Sequence, residues 1–527
     1  MAKHRKSRAS VRYESPSQLT LSGFDSPFEQ SLNPDNRWVV LANLIPWDEI
    51  CSIYQQQVGV SRSGRPGLNP RIALGALIIK HMYNLDDRET VDQISENIYM
   101  QYFLGYSNFS NEPPFDASLF VGLRKRLGMD TLSVINEKIA SLKLRKDSLA
   151  KKEDLDSGSS PGDENPDSPS HKGRVIFDAT ACPQDITYPT DLTLLSDARE
   201  MSEKLIDRIY SISLHGKKPR SYRQVARKCY LQTAQKKNKP KKVIRRAIKA
   251  QLSYLGRNIK SIHSLLDVYT HRSPLNKHER KYFYVIQTLY DQQRKMFDTR
   301  THTIEDRIVS IHQPHVRPIV RGKTQAKVEF GSKIHVSIVN GISFLDELSW
   351  DAFNEGSHLE FYVEKYRDRF GCYPKEVLAD QIYCTRANRS LLKEKDIRLL
   401  AKPLGRPSSA ASIHVSPGER NPIEGKFGQA KTAYGLNRIK ARLKQTSETW
   451  IAGIFLVLNL INLARAALPC LIVKWMRSFS ADPMIDCVLK SRISKKVTSS
   501  ITTKILPFSS SSMMLLPSSS SHRRQHI

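Results

Sequence analysis

Cysteine is sparse in this chain and never paired in sequence: Cys51, Cys182, Cys229, Cys372, Cys384, Cys470 and Cys487 are scattered with no CxxC among them. That scatter excludes a zinc cluster built on cysteine pairs and a secreted disulfide framework, and it fits a reducing compartment. Acidic residues are scarce beside basic ones, 52 Asp and Glu against 82 Lys and Arg, which leaves a formal charge of +30. A field of that sign attracts polyanions, so nucleic acid is the first partner the composition suggests. An unbroken apolar run of membrane length is missing too. The one long candidate, WIAGIFLVLNLINLARAAL, is interrupted by Asn459, Asn462 and Arg465 and followed by Pro469, and it reads as a buried helix. The basic residues MAKHRKSRAS lead into polar YESPSQLTLS, which argues against a secretory signal.

What is present fills about three domains at 527 residues. In NRWVVLANLIPWDEI, Trp38, Val39, Leu41 and Leu44 are apolar anchors. From the Asn69-Pro70 boundary the pattern is helical through PRIALGALIIKHMYNL and DDRETVDQISEN, and FDASLFVGLRKRLG closes on Arg124, Lys125 and Arg126 before Gly128. A helical N-terminal domain, residues 1–147, that binds DNA or simply packs as a bundle accounts for this pattern. Residues 148–173, rich in Ser, Asp, Pro and Gly, read as a disordered linker. RVIFDATA then reads as a buried strand with Asp178 at the end of its apolar run.

Residues from about 194 to 300 are helical in pattern and densely basic, with Lys241, Lys242, Arg245 and Arg246 in one run and Tyr222, Tyr230 and Tyr254 interleaved. Such a mixture suits phosphate contact and base stacking, although each tyrosine alone suits packing equally well. Asn340-Gly341 between two β-rich runs is a hairpin signal. LEFYVEKYRDRFG is a helix ending at Gly371, PKEVLAD a strand with Asp380 at its end, RANRSLLKEK a helix and DIRLLAKPLG a further strand, which implies parallel strands joined by a crossover. The Ser-rich tail, residues 477–527, has no period that could define a core.

Glu424, in RNPIEGKFGQAK, has two readings. Asn421 as cap and Pro422 at the first helical position make it a capping-box acid. Alternatively, Ile423, Phe427, Ala430 and Tyr434 form the inward face, and Glu424 lies beside it with Lys431 two turns on and Gly425 and Gly428 leaving a bare surface. Asp178 and Asp380 at strand ends need a compensating cation or donors. Asp, Asp and Glu together suit two hard divalent ions that leave positions open for phosphate oxygens and water. Asp185 and Asp191, in PQDITYPTD, are rivals to Asp178, but they sit in a Pro-rich turn sequence.

The order DAT, LAD, RNPIEGKFGQAK resembles the acidic triad of bacterial insertion-sequence transposases of the DDE class. Segments such as NPDNRWVVLANLIPWDEI, GRPGLNPRIALGALIIKHMYNLDDRETVDQISENIYMQYFLG and ITYPTDLTLLSDARE are similar to the group numbered family five, and the likeness covers residues from about 17 to 465. The group's signature of Tyr, Arg, Glu and Lys is matched by Arg420, Glu424 and Lys431, while Pro417 stands at the tyrosine position. The resemblance implies an α/β fold: a ribonuclease H-like mixed sheet flanked by helices in a catalytic domain at 174–476, with a helical N-terminal domain and a helical basic insertion. It implies Asp178, Asp380 and Glu424 as catalytic and metal-ligating residues for two Mg²⁺ ions, with Mn²⁺ as a substitute. Arg420, Lys426 and Lys431 would contact DNA. The implied reaction cuts the inverted-repeat ends of the element and joins the 3′-hydroxyls to target DNA. The implied agent is a homodimer on double-stranded DNA, cytoplasmic in a bacterium, associated with the nucleoid and not with a membrane. The alternatives are a decayed copy that binds DNA without cutting it, and a general nuclease of the same fold.

Overall fold

A computed structural model describes residues 31–58, 67–155, 173–269, 273–320, 328–401 and 417–479. By their contacts the residues fall into two units, 1–462 and 463–527, and the second is described only as the continuation of the last helix to Phe479. The Ser-rich tail beyond that helix lies outside the described residues, as do residues 156–172 of the stretch read as a linker.

The first unit begins with helices α1 (Arg37–Leu44), α2 (Trp47–Val58), α3 (Pro70–Tyr83), α4 (Asp87–Glu96), α5 (Ile98–Leu104) and α6 (Leu119–Leu155). Local chemistry sets their ends. Asn36 and Asn69 cap α1 and α3 by accepting from backbone N–H groups, and Asp86 with Glu89 forms a capping box on α4. Gly128, with φ +66°, breaks α6 where a side chain would be strained. Beyond the break α6 continues to Leu155, eight residues into the stretch read as linker, because LRKDSLAKKEDL alternates good helix formers with opposite charges. Of the three cations that close this segment, Arg124 is buried and grips Asp87 with two bonds of 2.8 Å, so only Lys125 and Arg126 face solvent.

The sheet runs β2-β3-β1-β5-β6, with β4 also paired to β3. Its strands are β1 (Arg174–Pro183), β2 (Arg317–Val320), β3 (Val328–Val339), β4 (Ile342–Ser349), β5 (Glu376–Leu378) and β6 (Arg398–Leu400). β1 is antiparallel to β3 and parallel to β5, and β5 is parallel to β6. Asn340 (φ +49°) and Gly341 (φ +77°) join β3 to β4, the positive-φ pair that a tight hairpin demands. Helix α12 (Leu359–Phe370) ends at Gly371 and crosses to β5, and α13 (Arg386–Glu394) crosses to β6. Val175, Phe177, Val377, Leu359, Tyr362 and Val363 form the core between sheet and helices.

Between β1 and β2 lie α7 (Asp191–Ile209), α8 (Ile212–His215), α9 (Arg223–Ala234), α10 (Lys241–Leu266) and α11 (Lys277–Thr299); α7, α10 and α11 share a core around Leu195, Leu255, Ile262, Ile286 and Leu289. Two helices follow the sheet, α14 (Asn421–Ala433) and α15 (Lys444–Phe479). Among the described residues one helix, residues 444–465, is long and apolar enough to cross a membrane, and 78% of that window is buried within the protein. One of its polar interruptions explains why it is buried there. Asn459 accepts from Ser343 N (2.8 Å) and donates to Ser343 O (2.7 Å) and Asn136 Oδ1 (2.8 Å), which pins the helix to β4 and α6 at once.

Candidate active site

The register of two parallel strands builds the centre of the site. Ile176 on β1 lies level with Leu378 on β5, the last pair of that ladder, and Asp178 and Asp380 each stand two residues further along their chains. Asp178 is not at a strand end as the apolar run implies. It sits in mid-strand opposite Val336, because the long β3 keeps pairing with β1 as far as Pro183. Asp380 does follow its strand, and caps the short turn Gln381–Tyr383 by accepting from Gln381 N at 2.8 Å.

A third side chain joins them. Arg420, in the turn before α14, donates through Nη1 to Asp380 Oδ1 (3.1 Å) and through Nη2 to Asp178 Oδ2 (3.5 Å). Asp178 Oδ1 is fixed separately by the Ala179 N–H at 2.8 Å. Burial pushes the Asp178 carboxyl up to about 6, an effect opposed by the Ala179 N–H and Arg420 and reinforced by the charges of Asp380 and Glu355. α14 is also tied to β1 beyond its far end, where Ile439 N donates to Pro183 O (2.9 Å) and Asp185 N to Ile439 O (3.0 Å).

The capping-box reading of Glu424 does not hold. The helix is capped at Arg420 with no side-chain cap bond, because the turn Pro417–Arg420 runs directly into it. Glu424 lies one turn on, exposed, and it has no hydrogen-bond or ion-pair partner among the described residues. Ile423, Phe427, Ala430 and Tyr434 are buried, while an added Cβ at Gly425 or Gly428 would meet nothing within 4 Å. Lys426 and Lys431 are half-buried on the same helix. Among the described residues no three His, Cys, Asp or Glu side chains are drawn together as a ready cage for an ion. The site thus unites Asp178, Asp380 and Arg420, with Glu424 free beside them.

The rivals to Asp178 have structural work. Asp185 pairs with Arg438 (2.9 Å), and Asp191 opens α7 and pairs with Arg307 (2.7 Å). The sequence reading missed Glu355, a half-buried acid ion-paired to Lys333, whose Nζ also donates to Phe353 O (2.7 Å). It missed Gly356 as well. A Cβ there would lie 2.4 Å from Ile382 O, and Asn388 Nδ2 bridges Gly356 O (2.6 Å) and Tyr383 O (2.9 Å), so the turn carrying Asp380 is held from two sides. The Asn-Glu-Gly triplet ahead of a helix was the available signal.

The basic run was legible. Lys241, Lys242, Arg245 and Arg246 are all exposed on the first turns of α10, opposite buried Ala247, Gln251 and Leu252. Arg245 lies over the Phe297 ring at 4.0 Å, and Arg257 lies between the rings of Tyr222 (4.8 Å) and Tyr254 (4.9 Å). Four cations at an uncapped helix N-terminus oppose the helix dipole.

Residues 26–126 match the family described as Transposase domain (DUF772), and residues 377–461, which include Asp380, Arg420 and Glu424, match the family described as Transposase DDE domain. The chain is also 30% identical over 194 residues to "Uncharacterized protein ORF8 in nfe locus" of Rhizobium meliloti, an alignment covering 36% of this chain and 83% of that protein. The chain belongs to the DDE transposases of insertion sequences. No solved structure matches it. The Asp380, Arg420 and Glu424 segment of this transposase therefore lies within its matched DDE domain, whereas Asp178 lies outside both matched segments.

Proposed function

We propose that this transposase cuts the ends of its insertion sequence and joins the freed 3′-hydroxyls to target DNA by two-metal phosphoryl transfer. The observation that carries the reading is the convergence of Asp178, on β1, and Asp380, just past the adjacent parallel β5, on one guanidinium, that of Arg420 at the start of α14, which leaves Glu424 free. Three further features support a ribonuclease H-like core at 174–476: a central β1, an antiparallel β3-β4 hairpin on one side, and parallel β5 and β6 on the other. The donor chemistry fits hard divalent cations, since both aspartates offer oxygens to one guanidinium and Glu424 is uncommitted. Asp178, Asp380 and Glu424 would hold two Mg²⁺ or Mn²⁺ ions, which supply charge stabilisation to the attacking and leaving oxygens of the phosphoryl group.

The chain's own residues do the rest. The backbone bonds to Asp178 and Asp380 fix both carboxylates before substrate arrives, and Gly356 and Asn388 hold the Asp380 turn. Lys426, Lys431 and Arg420 present cations along α14, and the bare surface over Gly425 and Gly428 admits a DNA backbone beside Glu424. Residues 1–147 serve as a further DNA-binding domain, and the active assembly is a homodimer on DNA in the bacterial cytoplasm, at the nucleoid. The test uses purified protein, Mg²⁺ and a plasmid carrying the DNA that flanks its coding region. Cleavage confined to the element ends, lost in Asp380→Asn, is the expected result. Retention of that DNA without cutting identifies a decayed binder, and cutting without end preference identifies a general nuclease.

The basic insertion, about 194–300, is the proposed duplex-binding surface. Changing Lys241, Lys242 and Arg246 together to glutamate is expected to lower the slope of log affinity against log salt by about 2 to 3 units. The same change complements the α10 dipole and is expected to raise stability by roughly 1 kcal/mol. Weaker DNA retention in a protein that melts no earlier separates a lost contact from a misfolded surface; an unchanged salt slope removes this helix from the interface.

A further inference from the structure

Arg420 lies where a cation between two carboxylates would lie. Its guanidinium reaches Asp380 Oδ1 at 3.1 Å and Asp178 Oδ2 at 3.5 Å, and its Nε is buried with no partner, so the two terminal nitrogens alone hold it. We propose that Arg420 is the resident counter-ion of the aspartate pair and surrenders that place when a divalent cation binds, becoming free to grip a DNA phosphate. The inference rests on the reading of Asp178 and Asp380 as cation ligands and goes beyond it, because it assigns Arg420 two successive partners.

Physical chemistry favours the exchange. A guanidinium is always charged, and it spreads one charge over a planar fork. A divalent ion carries twice that charge and approaches carboxylate oxygens to about 2.0–2.1 Å for Mg²⁺. The ion therefore wins the pair, but its net affinity is reduced by the cost of evicting Arg420. The side chain is 20% exposed and springs from the turn Pro417–Arg420 at the mouth of α14, so it has a route outward without unfolding the helix. Once outside, its parallel N–H groups match phosphate geometry. Cation and phosphate then favour each other: whichever binds first removes part of the cost of the other, and linkage makes the coupling equal in both directions.

The test is a Mn²⁺ titration followed by electron paramagnetic resonance on DNA-free protein, with thermal melts to verify folding. Arg420→Ala and Arg420→Gln are both expected to bind Mn²⁺ on the order of tenfold tighter than the unmodified protein, a gain within the usual range of coupling between sites. Asp178→Asn and Asp380→Asn are expected to bind it more weakly. Adding a random-sequence duplex at low salt tightens Mn²⁺ binding to the unmodified protein but not to Arg420→Ala. Equal or weaker Mn²⁺ binding in both Arg420 variants, with the aspartate variants still weakened, overturns the inference and spares the ligand reading. Mn²⁺ binding untouched by both aspartate changes overturns the two together.

Discussion

Under the proposed two-metal chemistry, Asp178→Asn is expected to slow Mg²⁺-dependent strand cleavage by roughly 10³-fold while making the metal-free protein more stable at neutral pH. The two effects have one origin. The Asp178 carboxylate is largely withdrawn from water in mid-strand, and burial lifts it to about 6 from its ordinary 3.8. Because folding favours the protonated form, the carboxyl's contribution is fully present below the unfolded value of 3.8 and is lost as pH rises through 6. At pH 7 the ionised group is a net cost, and a shift of this size corresponds to about 1–3 kcal/mol once residual solvent access is allowed for. Asparagine keeps the shape and the Ala179 N–H bond while removing the charge. Urea denaturation should therefore show the variant ahead at pH 7 and level with the unmodified protein at pH 4. Cleavage should fall by roughly 10³-fold, since a misheld ion forfeits several kcal/mol of transition-state stabilisation. A variant as active as its parent removes Asp178 from the chemistry, and one less stable at pH 7 refutes the burial argument.

That trade explains a pattern in what the sequence revealed. Helices with local signals were legible: the Asn69-Pro70 start of α3, the acidic start of α4, the Asn340-Gly341 hairpin and the Gly371 stop are set by neighbours in the chain. So was the inward face of α14, which follows from spacing alone. The parts that were illegible depend on distant partners. Asp178 looks like a strand end because the apolar run stops at Phe177, yet β3 carries the pairing six residues further to Pro183. The true cap of α14 was hidden because Arg420 is drawn to carboxylates 40 and 242 residues away in sequence.

Distant partners also bury cations. Lys80, within the apolar α3, is 1% exposed. Its Nζ reaches Asp87 (2.9 Å) and Leu85 O (2.7 Å) and sits over the Trp450 ring at 4.6 Å, while burial lowers it to about 8. Charge composition indicated a polyanion partner correctly in kind, but it could not divide cations that face solvent from cations that brace helices. Lys241, Lys242, Arg245 and Arg246 belong to the first group and Lys80 and Arg124 to the second, and only tertiary packing tells them apart.

A buried network joining β3, β4 and α12 gives the largest expected loss of stability. Asp346 on β4 is fully enclosed, with Arg369 Nη1 at 2.5 Å and His335 Nδ1 at 3.1 Å, and His335 lies flat on Tyr362 at 3.4 Å between ring centres. Burial alone would raise the Asp346 carboxyl, but Arg369 and His335 hold it below its ordinary 3.8. Its contribution is therefore present above that value and fades as pH falls through the lower folded one. Asp346→Ala leaves a buried guanidinium without its partner, and breaking such a pair costs about 3–5 kcal/mol. Arg369 also bonds Glu137 on α6 at 3.0 Å, so the loss propagates between sheet and helical layers. His335 pairs across the sheet with Ala179, the neighbour of Asp178, which places the network directly beside the strand that carries Asp178. Replacing Asp346 and Arg369 together by leucine and methionine should restore part of the stability, because the guanidinium is no longer orphaned although His335 Nδ1 still loses its partner. Thermal and urea denaturation distinguish the cases: if the single variant loses under 1 kcal/mol, or the double variant is no better than the single, the pair is not holding these layers together.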